Sequence, residues 1–226
     1  MMSTRSWLLL PLLLVALLAQ GCAGGSPPTP TVLGEAALVE GDWRSAKTHF
    51  AEALRTDARF GRAWLGQARA QLMARDPEGA LRSLTSLSKV DRELFRGQAR
   101  DVYAGSLEGA TRGRLDQKKT ESALVAVRAL SKLDPGRRGL PSLLGRALLG
   151  EAARWKWLGR TDAALVLYRE ACVVVPGKLD AWVGAAEILL ENGKEKEAVR
   201  LLAAARKRHP TARSIRSLTI QALSLR

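Results

Sequence analysis

Few side chains in this 226-residue sequence could act as base, nucleophile or soft metal ligand. There are two histidines, His49 and His209, and two cysteines, Cys22 and Cys172. Catalysis by such groups requires them to converge on one pocket, and these four stand in widely separated segments. The chain contains no CxxC, HExxH or GxSxG motif and no glycine run of the kind that cradles phosphate, so signatures of metal, hydrolase and nucleotide chemistry are missing. Cys172 lies inside an apolar helical segment and reads as a small buried hydrophobe. These residues predict no enzyme, no cofactor and no metal site.

The other chemistry available is electrostatic. The formal net charge is +14, which in a cytoplasmic protein points to nucleic acid. The first residues argue for export instead. Arg5 precedes an apolar stretch from Trp7 to Leu18, interrupted by Pro11, that is too short to span a bilayer comfortably. Residues 1–21 are therefore expected to be a signal peptide. Leu18-Ala19-Gln20-Gly21-Cys22 resembles the lipobox of bacterial lipoproteins, and the resemblance implies cleavage before Cys22 and acylation of that residue. The other reading is an ordinary secretory signal with an unrelated Cys. Residues 22–31, rich in Gly, Pro, Ser and Thr, form a tether, and two or more acyl chains would give stable attachment. In that family Asp after the Cys favours the inner membrane, so Ala23 implies an outer-membrane lipoprotein facing the periplasm. The processed chain keeps a balance of 35 − 22 = +13. Outside the cytoplasm its counterparts would be anionic lipids, anionic envelope polymers or acidic proteins, with no nucleic acid. Acylation of Cys22 would leave Cys172 without an intramolecular disulfide partner.

The element that must position any site is a repeat. Residues 159–176, GRTDAALVLYREACVVVP, are echoed 34 residues later by GKEKEAVRLLAAARKRHP. The alanines of the pattern, Ala46, Ala80, Ala123, Ala164 and Ala198, are 34, 43, 41 and 34 residues apart. Four residues after each comes Phe50, Leu84, Val127, Tyr168 or Leu202. Trp64 and Trp182 stand sixteen residues before Ala80 and Ala198. A small residue lets two helix axes approach, and a bulky one on the same face fills the gap to the next unit. Gly41, Gly159 and Gly193 are placed to end first helices in a left-handed conformation. Asp76-Pro77 reads as the N-cap and first residue of a second helix.

This pattern resembles the tetratricopeptide repeat, a 34-residue helix-turn-helix unit. The resemblance implies an all-α, right-handed helical-hairpin solenoid over residues 32–226, with about five hairpins and a polar C-terminal capping helix. The rival is an ordinary amphipathic bundle, against which five in-phase copies argue. The third unit is expected to carry its extra residues near Thr111 to Lys119, and the fourth near Gly136 to Ser142.

In such a solenoid the first helices line a groove for a partner segment. Placing the family's groove positions on this chain gives Arg62, Leu65, Arg69 and Leu72 in the second unit and Arg96 and Tyr103 in the third. It gives Arg146, Leu149, Lys156 and Trp157 in the fourth, then Asp180, Val183, Glu187 and Leu190 in the fifth. The groove is expected to be basic and apolar in its middle and acidic beyond. Asn192 is the chain's only Asn, so the amide clamp by which some family members hold a terminal carboxylate is missing. Trp155 is expected in the core and Trp157 outside it. The expected function is a membrane-anchored scaffold for another envelope protein, in the manner of lipoproteins that assist outer-membrane machines such as secretins. The alternative is electrostatic binding of anionic polymer or lipid, since residues 193–226 hold nine Lys and Arg against Glu195 and Glu197.

Overall fold

The computed structural model describes residues 27–225; Cys22 and the signal-peptide segment lie outside the described residues. Twelve helices and no strands are found among them. They are α1 (Pro30–Glu40), α2 (Trp43–Thr56), α3 (Gly61–Met73), α4 (Pro77–Val90), α5 (Arg92–Gly97), α6 (Arg100–Asp116), α7 (Thr120–Leu133), α8 (Leu140–Trp157), α9 (Thr161–Val174), α10 (Leu179–Glu191), α11 (Glu195–Arg208) and α12 (Arg213–Ser224). Five hairpins follow one another: α1–α2, α3–α4, α6–α7, α8–α9 and α10–α11. The short α5 is inserted after the second, and α12 closes the stack.

The packing follows from side-chain size. Ala46, Ala80, Ala123, Ala164 and Ala198, one on each second helix, are all 0% exposed. The bulky residue one turn later reaches the following unit: the Phe50 ring lies against Gly66, where an added Cβ would come within 2.3 Å of it, and the Tyr168 ring lies against Gly184, where the distance would be 2.6 Å. A hydrogen-bonded corner recurs as well, Trp64 Nε1–H donating to the Ala58 carbonyl at 2.9 Å and Trp182 Nε1–H to the Pro176 carbonyl at 2.9 Å. Apolar burial at these joints is the main favourable term in a stack whose units touch only their neighbours.

All five hairpins turn in the same way. A left-handed residue follows the first helix in each, directly at Gly41 (φ 81°) and one residue farther on at Gly159 and Gly193 (φ 73° and 64°) and at Arg75 and Lys118 (φ 58°). In each turn this residue's N–H and the next bond back into the last helical turn; Lys118 N–H donates to the Leu115 carbonyl (3.0 Å) and Lys119 N–H to the Arg114 carbonyl (2.8 Å). This double bond pattern satisfies carbonyls that a helix end otherwise leaves open. Asp76 caps α4 as expected, its Oδ1 accepting from Gly79 N–H at 2.8 Å.

The solenoid has distinct inner and outer walls. Every first helix packs on the next first helix, α1 with α3, α3 with α6, α6 with α8, α8 with α10 and α10 with α12, while no two successive second helices pack together. The first helices therefore lie on the inside of the curve.

Two expectations are corrected. The turn between α6 and α7 is as short as the others, because Lys118 adopts the left-handed conformation that a Gly holds elsewhere. The third unit's extra residues lie before it, in α5 and in the longer α6. The capping helix is not polar outside: Ile220 and Leu223 are 64% and 52% exposed.

A Cβ on Gly159 would meet no atom within 4 Å, so Gly159→Ala isolates the backbone cost. It should destabilise by about 1 kcal/mol, whereas Lys118→Gly, which relieves the same strain, should stabilise by roughly 0.5 kcal/mol. Urea unfolding of the two variants checks the opposite signs.

Candidate functional site

The inner wall at the N-terminal half encloses an open hollow of about 650 Å³, lined by Leu38 and Val39 of α1, Leu72 and Met73 of α3 and Val102 of α6, together with Glu35 and Arg69. A smaller hollow of about 230 Å³ adjoins it, lined by Glu35, Leu38, Arg62, Leu65, Gly66, Arg69 and Gln98. Each first helix contributes because it presents one side to its own second helix and another to the curve. Arg62 and Arg69 are exposed, and neither forms an ion pair among the described residues. Leu72 is half-buried.

Leu65 is only 3% exposed and belongs to a core cluster with Ala68, Ala80, Leu84 and Leu87. It is held between neighbouring helices and offers the hollow an edge, not a full side chain. The third unit is corrected further. Arg96 lies on α5, outside the row of first helices, and Tyr103 packs its ring against Phe95, centroids 5.3 Å apart. Counting back from Ala123 across an ordinary turn places Gly105, Glu108, Arg112 and Leu115 at the groove positions instead. Glu35, Leu38 and Val39 complete the hollow from the first unit, at the corresponding positions counted back from Ala46.

Farther along, the expected basic middle is largely neutralised. Arg112 and Arg137 both pair with Glu108. Arg146 stands 3.5 Å from Asp116. Lys156 donates to Glu187 at 2.7 Å and has Glu191 at 3.7 Å. Burial opposes the charge of Lys156, but the hydrogen bond and the two carboxylates outweigh it and raise its pKa. Leu149 and Val183 are half-buried against the core, Leu190 is 9% exposed, Asp180 is exposed, and Trp157 stands free at 84%. Trp155 is half-buried, with the Arg154 and Arg160 guanidinium carbons 4.7 and 5.2 Å from its ring centre.

Among the described residues none of the other reactive side chains joins the hollow. His49 sits on α2 with an unpartnered Nδ1, and His209 Nε2 is 3.2 Å from the Pro176 carbonyl. Cys172 is 6% exposed, and burial pushes its thiol up to about 12, leaving almost no thiolate at neutral pH. Among the described residues no group of three His, Cys, Asp or Glu is placed to hold a metal, and no helix is long and apolar enough to cross a membrane.

One buried carboxylate knits units three and four. Glu151, 3% exposed, accepts from Thr120 Oγ1 at 2.6 Å and from Arg154 Nε at 3.0 Å. Arg154, whose hydrogen bond opposes the cost of burial, and then Thr120 hold its pKa below the ordinary glutamate value.

A row of hairpins with a hollow inner wall, lacking an assembled catalytic constellation among the described residues, is the form of a helical-repeat binding protein. Tetratricopeptide-repeat models match residues 31–86 and 158–219. The chain belongs to the tetratricopeptide-repeat family, whose members are typically non-enzymatic scaffolds. A crystallised TPR repeats protein from Bacteroides fragilis superposes with a TM-score of 0.58 at 16% identity, covering 90% of this chain and 100% of that one, which supports the fold. A thermophilic TPR protein from Thermus thermophilus, 22% identical, covers 86% of this chain and 97% of its own, with a TM-score of 0.35. No curated protein matches the sequence.

Because the folded-state pKa of Glu151 is lowered, its contribution is full above the ordinary glutamate range and is lost as pH falls through that range and below. Glu151→Gln should cost about 1–2 kcal/mol at neutral pH, and the gap to the unaltered protein should narrow on acidification. Thermal unfolding at a series of pH values measures this.

Proposed function

We propose that this chain is a membrane-tethered scaffold that captures a segment of another cell-envelope protein in the hollow between α1, α3 and α6. The observation that carries this reading is the pairing of an apolar hollow with Arg62 and Arg69, neither ion-paired among the described residues. That combination suits an acidic segment bearing at least one large apolar side chain, whose burial would contribute about 2 kcal/mol. The neutralised middle of the groove takes the inner wall away from the rival reading, electrostatic binding of anionic polymer or lipid through basic patches, which then rests on the Lys and Arg of residues 193–226. Anchoring through an acylated Cys22, an outer-membrane location facing the periplasm, and service to an outer-membrane assembly such as a secretin rest on the sequence motif and on family resemblance.

A photo-crosslinking residue placed at Arg69 or Leu72 in living cells should trap one protein, and the adduct should be lost in a Met73→Glu background. Recovery of that partner should survive raised salt, since apolar burial is not screened, whereas a polyanion would be released steeply. The absence of any protein adduct sinks the scaffold reading. Anchoring is tested independently: Cys22→Ala should move the protein from the membrane to the soluble fraction, and unchanged fractionation overturns the lipid anchor.

A further inference from the structure

The two ends of the stack expose helix faces of opposite charge. At the first end α1 buries Gly34 and Ala37 and turns Val32 (55% exposed) and Ala36 outward, away from the hollow that Val39 lines. Its only charges are Glu35, which lines the hollow, and Glu40. At the other end α12 buries Ile215 and Ala222 and exposes Ile220 and Leu223, and its only charges are Arg213 and Arg216. None of these four charges is ion-paired among the described residues.

Both helices also carry charge at the end that their own dipole disfavours. Glu40 is the last residue of α1, where the open carbonyls already make the end negative, and Arg213 opens α12, where the amides make it positive. Laid antiparallel, the end of α1 meets the start of α12. Glu40 then faces Arg213 and Arg216, and the two dipole ends are of opposite sign. Within one molecule they do not meet: among the described residues α1 packs only on α2 and α3, and α12 only on α10 and α11.

The repeat register shows why α12 has a face to offer. Ile220 and Leu223 lie 34 residues after Ala186 and Leu189, both 0% exposed in the fifth hairpin's core. Among the described residues no second helix covers the equivalent face of α12, and a hollow of about 550 Å³ opens there between Arg206, Ile215 and Ile220. Pairing like ends, α12 on α12 or α1 on α1, would bring like charges together.

We propose that molecules of this protein associate head to tail, α1 of one copy lying antiparallel on α12 of the next. Such a contact joins two different patches and so builds an open chain of copies instead of a closed dimer.

The test is sedimentation velocity on the whole protein purified from its own cells in detergent, over a range of concentrations at low salt. The mass should grow with concentration beyond a dimer. A head variant, Val32→Glu with Ala36→Glu, and a tail variant, Ile220→Glu with Leu223→Glu, should each stay monomeric, with helicity retained by circular dichroism. Mixed, they should form a one-to-one complex through the intact patch of each. Glu40→Arg should weaken assembly by about tenfold, and Arg216→Glu added to it should restore it. The proposal is overturned by a monomer throughout, by assembly lost in the tail variant but kept in the head variant, by a failed charge swap, or by loss of a co-purifying protein in place of self-association. Because Val32 and Ala36 do not line the hollow, failure here leaves the captured-segment reading to its own crosslinking test.

Discussion

The structure depends on how closely two helix axes can approach. One alanine per hairpin, Ala46, Ala80, Ala123, Ala164 or Ala198, has no exposed surface, and any larger side chain there would have to displace the facing helix. With the axes that close, Phe50 and Tyr168 reach past their own hairpins to the glycines of the next. Sequence pattern, local geometry and stacking are thus one constraint seen at three scales. The curved inner wall follows from it, since packing between first helices and its lack between second helices fixes the direction of curvature.

Electrostatics does a different job at each position along the wall. In the middle and C-terminal half the charges are internal: Glu108, Glu151 and Glu187 each receive basic side chains, and these ties cross from one unit to the next at Glu108–Arg137 and Lys156–Glu187. They set the relative placement of hairpins and contribute little free field to a ligand. Around α3 the position is reversed: Arg62 and Arg69 stand beside apolar side chains and Glu35, and neither is ion-paired among the described residues.

Much of this was legible in the sequence, and the gaps have physical causes. The period, the five alanines, the left-handed glycines and the Asp76-Pro77 cap are all local signals whose geometry allows little choice of residue. The third unit was misread because Lys118 occupies a left-handed position that a Gly holds elsewhere, so its turn carries no mark in the sequence. That shift of register put Arg96 and Tyr103 at the groove when α5 and a ring contact with Phe95 claim them. The free charge of the groove's middle is smaller than a linear reading suggests, because that reading counts Arg146 and Lys156 but does not place Asp116 and Glu187 beside them. The exposed apolar face of α12 had no signal beyond its position, since burial of Ile220 and Leu223 depends on whether another helix follows in space.

The separation of the second helices has a mechanical consequence. Across the outer side of the array, among the described residues, surface ion pairs, Arg128 with Glu170 and Arg169 with Glu197, reach from one stave to the next, and ties of that kind are weak and readily re-formed. Among the described residues the inner side alone carries an unbroken line of helix-on-helix packing between units. A flexure that opens or narrows the channel therefore strains these surface ion pairs before it disturbs the packed joints.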